Sequence, residues 1–204
     1  MQIRYSWIAW GLAAVCAGLV GFWAARQVDS SPPQLASGTW YPTARPIGEL
    51  ALTAQTGNPF TASDLKGHPT LVFFGFTHCP DVCPTTLAML ARIKKSAALP
   101  DLRVLFVSVD PGRDTPAVLA PYVHAFDPEF IGATGDAHEI GRLAQKFGVA
   151  VARIDLPGGD YMMDHSAAVF LLDRRAQIVA VFTPPFEVPP FAADLKRVES
   201  RLRG

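Results

Sequence analysis

The chain is 204 residues long, carries 18 Lys plus Arg against 18 Asp plus Glu for a formal net charge of zero, and is 50% hydrophobic. It has no basic block, so its electrostatics exclude the usual footprint of a nucleic-acid partner. Its 3 cysteines are too few for a disulfide framework, and the length beyond the N-terminal segment suits one globular domain with a real core.

Residues 7–25 form a run without a charged side chain, about the minimum for crossing a bilayer as a helix. Trp7 and Trp10 lie near one end and Trp23 near the other, as interfacial aromatics do. A cleaved signal peptide is the rival reading. Its apolar core should be roughly 7–15 residues and end in a small-x-small site, which Trp23-Ala24-Ala25-Arg26 does not supply. The run therefore reads as one uncleaved transmembrane helix. Cys16 follows Val15 rather than a small residue, so it reads as a small apolar helix residue and not as a lipoprotein cysteine. Arg4 and Arg26 flank the span evenly; the amino-terminal charge and Asp29 tilt the orientation towards N-terminus in and domain out. Residues 1–6 are then a short cytoplasmic N-terminus and 7–25 the anchor. Residues 26–46, with Ser30, Ser31, Pro32, Pro33, Ser37, Gly38, Pro42 and Pro46, read as an extended tether. Residues 47–204 form the domain.

Residues 49–53 alternate, meet the turn signal Gly57-Asn58-Pro59 and continue at Phe60-Thr61, which predicts a β-hairpin. A short turn of helix over 63–67 follows. Residues 69–76 are continuously apolar and predict a central strand buried on both faces. Pro84 suits the first position of a helix whose apolar residues Leu87, Leu90, Ala91 and Ile93 recur to about Ala98. A second strand covers 102–109. Asp114-Thr115-Pro116 reads as a capped helix start, with Val118, Leu119, Tyr122, Val123 and Phe126 as its buried stripe. A short strand at 130–133 precedes a helix capped by Asp136 or Thr134 and ending at Gly148. Residues 149–156 predict a strand, 157–160 a turn and 161–163 its continuation. Residues 167–172 and 178–182 pair across the turn 173–176, and 191–202 is a last amphipathic helix. Strands alternating with helices predict an α/β domain. The order is that of an expanded thioredoxin-like fold with an added N-terminal β-hairpin.

The chemistry concentrates in Cys79 and Cys83. Residues i and i+4 of a helix rise about 6 Å and share a face, a spacing that suits two sulfurs on one metal ion and also a disulfide. Pro84 disfavours helical geometry at Cys83, which places the pair in a turn just before the helix. There the helix dipole favours thiolates. Metal binding and oxidation both need thiolates, so both remain open, beside a static disulfide or simple core packing.

A third ligand would decide between them. His124 and His138 lie on predicted helices off the apolar stripes and His68 in a loop; they read as solvated residues. His78 touches the motif, but adjacent side chains generally point apart. His165 is different, because the loop before the strand at 167–172 of a thioredoxin-like sheet faces the cysteine turn. Two thiolates and an imidazole suit copper(I) or zinc. A structural zinc site would want a fourth protein ligand, and none is evident.

The segment Phe74-Gly75-Phe76-Thr77-His78-Cys79-Pro80-Asp81-Val82-Cys83-Pro84 resembles the cysteine motif of the Sco/SenC family. Val107-Ser108-Val109-Asp110-Pro111-Gly112-Arg113-Asp114-Thr115-Pro116 and Tyr161-Met162-Met163-Asp164-His165-Ser166 are similar to its second and third signatures. The resemblance implies a membrane-anchored, thioredoxin-like copper protein that assists assembly of the copper centre of cytochrome c oxidase. It puts the copper ligands on Cys79, Cys83 and His165. It implies a non-enzymatic metallochaperone on the inner membrane, single-pass, with its domain in the periplasm. The partner is the copper-receiving subunit of the oxidase or another cupro-protein. Asp164 is a candidate to orient His165, Asp110 and Arg113 a loop-fixing pair, and Phe73, Phe74 and Phe76 packing residues.

The alternative function is a thiol–disulfide reductase that keeps a cupro-protein's cysteines reduced. Against it stand the Cys-x3-Cys spacing and the lack of a proline in 164–166. A thiol peroxidase would want a threonine and a single reactive cysteine. Thr77 is present, but the second cysteine follows too closely.

Overall fold

The computed structural model describes residues 4–29 and 32–202, with side chains described for 10–23 and 32–202. It divides into two units, Met1–Pro33 and Gln34–Gly204. In the first, helix α1 (Arg4–Asp29) exposes Trp10, Leu12, Val15, Leu19, Val20, Phe22 and Trp23. Among the described residues, no helix is long and apolar enough to cross a membrane. The side chains of Arg4, Trp7, Arg26 and Asp29, on which the expected span and orientation partly rest, lie outside the described residues, as do Ser30 and Ser31.

In the second unit the elements follow as β1 (Gly38–Pro46), β2 (Ala51–Ala54), β3 (Pro59–Thr61), α2 (Ala62–Leu65), β4 (Thr70–Gly75) and α3 (Val82–Ala97). Then come β5 (Arg103–Ser108), α4 (Pro116–His124), β6 (Ile131–Thr134), α5 (Ala137–Phe147) and β7 (Val151–Asp155). The last are β8 (Tyr161–His165), β9 (Val169–Leu172), β10 (Gln177–Phe182) and α6 (Val188–Leu202). Among the described residues an 8-stranded sheet runs in the order β1-β10-β9-β4-β5-β6-β2-β3, and β7 and β8 form a 2-stranded sheet of their own. The pairs β4–β5 and β5–β6 are parallel and the others antiparallel.

The expected hairpin is present as β2–β3 and extends the far edge of the sheet through β6. The expected central strand is β4, whose residues are all buried because β5 and β9 flank it and helices cover both faces. Phe74 and Phe170 pack on Phe147 of α5. Phe73, on the opposite face, meets Phe106, which packs on Tyr122 of α4. Phe182, in register with Val169 and hence with Phe73, stacks on Phe191 of α6.

Three expectations need correction. Residues 34–46 are no tether. β1 pairs antiparallel with β10, and the amides of Ala36 and Ser37 bond to the Asp194 carboxylate at 2.9 and 2.7 Å. Ser- and Pro-rich composition misleads here because an edge strand needs only one row of ladder bonds. Pro42 and Pro46 are tolerated there, and β10 half-buries Trp40 and Tyr41. Val118 is 38% exposed and no part of the α4 stripe, in which Leu119 and Val123 are buried while Tyr122, and Phe126 just past the helix, pack half-buried against the core. Finally, α3 begins at Val82, so Cys83 lies in its first turn and Pro84 is the third helical residue rather than the first. A proline there loses only an amide that has no intrahelical partner, so the local penalty at Cys83 is overridden.

Candidate metal centre

The carboxyl ends of β4 and β5 and the amino end of β9 share one edge of the sheet, since β9 runs antiparallel to β4. Three segments meet there: the turn 76–81 leading into α3, the loop 109–115 leading into α4, and the end of β8. Ligand sites in α/β sheets gather at this kind of edge.

Cys83 is fully buried in the first turn of α3. Its seat depends on a glycine: a Cβ on Gly75 would stand 2.6 Å from the Phe106 ring and 3.0 Å from the Cys83 Sγ. An isolated glycine in an otherwise apolar strand is the sequence mark of such a close approach. Cys79 is half-buried, and its Sγ accepts from the Cys83 N–H at 3.4 Å. His165 closes β8 rather than lying in a loop, and its Nε2 stands 3.4 Å from the Cys83 Sγ. The imidazole packs edge-on between Phe73 and Phe76, with ring centroids 6.1 and 6.0 Å away. These two phenylalanines therefore do more than fill the core, because they hold the ring's orientation.

The His165 Nδ1 lies 3.2 Å from the Ser166 carbonyl oxygen. A carbonyl can only accept, so Nδ1 carries the proton and Nε2 presents its lone pair to the sulfur. Asp164, the expected orienting group, is exposed and bonds to neither ring nitrogen. Burial holds the His165 imidazole below its ordinary pKa, and the Ser166 carbonyl opposes this more weakly. Burial also pushes the Cys83 thiol far up. This corrects the expectation of a dipole-stabilised thiolate at Cys83: in a fully buried pocket desolvation outweighs the helix dipole. As it stands, a Cys83 S–H faces a neutral imidazole, and a soft cation entering between them would release that proton.

Among the described residues, no three His, Cys, Asp or Glu side chains gather into a ready cluster for a metal ion. The arrangement is a Cys83–His165 pair with the Cys79 sulfur beside the Cys83 amide. The other histidines stay apart. His78 turns to Thr77 Oγ1 at 3.1 Å and lies 3.9 Å from Asp114, His138 sits beside Glu139, His124 is within 3.5 Å of Gln55, and His68 is half-buried elsewhere.

Asp114 is the residue whose role the sequence reading missed. The helix starts where residues 114–116 predict, with Thr115 as its N-cap, and Asp114 stands one residue before it. Its fully buried carboxylate accepts from the Thr77 amide at 2.9 Å, the Thr77 hydroxyl at 2.5 Å and the Ser108 hydroxyl at 2.6 Å. The turn that carries Cys79 is thereby bolted to the end of β5. The expected Asp110–Arg113 pair is present, with Nε to Oδ2 at 2.5 Å.

A family model described as SCO1/SenC matches residues 41–200 of the chain. A SCO2-like protein of Rickettsia prowazekii is 39% identical over 139 residues, which cover 66% of this chain and 68% of that protein. The mitochondrial SCO1 homolog of Homo sapiens is 37% identical over 144 residues, covering 66% of this chain and 46% of that protein. The solved structure of Bradyrhizobium japonicum ScoI with copper bound is similar with a TM-score of 0.67 and 41% identity, over 74% of this chain and 97% of that one. That of Arabidopsis thaliana ScoI with copper bound gives 0.72 and 31%, over 76% and 98%.

Proposed function

Because the chain belongs to the SCO1/SenC family, we propose that it is a copper metallochaperone that takes one copper ion on Cys79, Cys83 and His165. It passes the ion to the copper-receiving subunit of cytochrome c oxidase or to another cupro-protein. The observation that carries this reading is the 3.4 Å approach of the Cys83 Sγ and the His165 Nε2, from residues 82 apart in the chain. Two sulfurs and one imidazole nitrogen form a soft, borderline donor set. With Nδ1 protonated, the Nε2 lone pair faces the sulfur, as a ligand must. The copper is cargo, and three protein donors at a sheet edge leave room for a recipient's ligand to reach it. Copper-bound relatives of similar fold support the assignment.

The exposed and uncharged side chains of residues 10–23 of α1 support its reading as a single-pass anchor that holds the domain at the outer face of the inner membrane. Extraction of the full-length chain by detergent, and not by carbonate, tests that reading.

A second reading is favoured by one contact. The Cys79 sulfur lies against the Cys83 amide, which keeps the two thiols adjacent and able to exchange with a partner's disulfide. The two roles are compatible, since an oxidised pair binds copper poorly.

The test is an anaerobic copper titration of the reduced full-length chain. One equivalent is bound tightly, and Cys79→Ala, Cys83→Ala and His165→Ala each weaken it. An unchanged titration in His165→Ala refutes the ligand set. Reduction of a disulfide partner that persists in His165→Ala, with no tight copper in the parent, favours the reductase.

A further inference from the structure

The hairpin that delivers His165 rests on the core only through half-buried side chains, Val151, Met162 and Met163 among them. β7 and β8 join no strand of the main sheet among the described residues, and neither contains a fully buried residue. A two-stranded hairpin is marginal by itself. At the end away from His165, however, the Tyr161 ring lies between two guanidinium groups, Arg113 at 3.7 Å and Arg153 at 3.8 Å from its centroid. Its hydroxyl donates to Asp110 Oδ1 at 2.8 Å. Arg113 grips the same residue's Oδ2 at 2.5 Å and also reaches Asp160, in the hairpin turn, at 3.1 Å.

Asp110 is 3% exposed, and its amide donates to the Ser108 Oγ at 3.0 Å. Ser108 bonds to Asp114, which holds Thr77 two residues before Cys79. One run of hydrogen bonds therefore links the cysteine turn to the hairpin through the loop 108–114.

We propose that Tyr161, clamped between Arg113 and Arg153 and tied to Asp110, is a positioning residue that sets where His165 stands relative to Cys83. Tyr161 lies four residues from His165, about 13 Å along an extended strand, so it touches no bound ion. It acts only by fixing the hairpin. Releasing it leaves the main sheet and the Cys79–Cys83 turn in place while His165 loses its set distance to the sulfur. The proposal deepens the copper reading and rests on it.

The test is copper competition against a chelator, on the reduced full-length chain, in four variants: Tyr161→Ala, Tyr161→Phe, His165→Ala, and Tyr161→Ala combined with His165→Ala. Tyr161→Ala weakens copper binding about tenfold or more, the usual loss when a group that orients a metal ligand is removed. Tyr161→Phe keeps the ring in the clamp, loses only the bond to Asp110, and weakens binding a few-fold. In the His165→Ala background Tyr161→Ala makes no further difference, a non-additivity that a general loss of stability does not produce. Amide exchange speeds up in β7 and β8 and is unchanged in β4 and β5.

Parental affinity in Tyr161→Ala, or an equal further loss in the His165→Ala background, overturns the clamp. Should Tyr161→Ala not fold, parental affinity in Tyr161→Phe overturns it as well. If His165→Ala itself binds copper like the parent, the ligand assignment fails first and the clamp goes with it. Weak binding in His165→Ala beside any of the first three outcomes refutes the clamp alone.

Discussion

Cys83 and His165 face each other across 3.4 Å but are held there in opposite ways. Cys83 belongs to the core: it is fully buried, wedged by the absence of a side chain at Gly75, on a helix packed against α6 and the main sheet. His165 arrives on a hairpin with no fully buried residue, held at its far end by polar and cation–π contacts. One half of the site is set by the fold's hydrophobic core; the other rests on the core only through half-buried side chains and is pinned at its far end by a bracket of charged groups. The core half cannot move without loss of stability. The hairpin half can.

That contrast breaks if changes on both sides act alike. The largest effect is expected at Asp114. Asp114→Ala strips three donors of their buried acceptor, at a cost of about 3 kcal/mol or more. Denaturant unfolding should show this loss together with loss of tight copper binding. Next comes Gly75→Ala, whose added methyl runs into Phe106 and the Cys83 Sγ. Overpacking of this kind costs about 1–3 kcal/mol, and here too stability and copper affinity should fall together.

His165→Ala is expected to separate the two quantities. Losing a half-buried ring costs about 1 kcal/mol, while copper binding drops by tenfold or more; a thermal melt beside a chelator competition measures both. Equal falls in stability across Gly75→Ala and His165→Ala would erase the distinction between the two halves.

The smallest effects are those of pH. The folded-state pKa of His165 is lowered by burial, so between that value and the ordinary 6.5 the unfolded chain binds the extra proton. Stability therefore falls as pH drops below about 6.5, and His165→Ala removes that slope. The pKa of Cys83 is raised by burial, so above the ordinary 9.0 the folded thiol keeps a proton that the unfolded chain releases. Stability therefore falls again as pH rises past that value, and Cys83→Ala flattens this limb. Since copper must displace the Cys83 proton, copper affinity rises with pH across the neutral range.

Much of the framework was legible because its signals are local. The apolar run of β4, the Asp136 cap that accepts from the Glu139 amide and the left-handed Gly148 that ends α5 are each decided within a few residues. The three candidate ligands each lie on a short motif, and the fold brings two of them, Cys83 and His165, within 3.4 Å. What escaped was set by partners distant in sequence. β1 is a strand only because β10 offers an edge to it. The role of Asp114 escaped because Thr77, its main partner, lies 37 residues away. Tyr161 read as an ordinary strand residue until Arg113 and Asp110 were folded against it. The thiol state of Cys83 was misjudged because helix position is visible in a sequence and depth of burial is not.

The most direct test is electron paramagnetic resonance on the full-length chain loaded with one equivalent of copper(II). The three-ligand account predicts superhyperfine coupling to one directly bound nitrogen, beside an intense thiolate-to-copper absorption band. In His165→Ala the nitrogen coupling disappears while thiolate absorption survives in altered form. Nitrogen coupling that persists in His165→Ala would contradict the account.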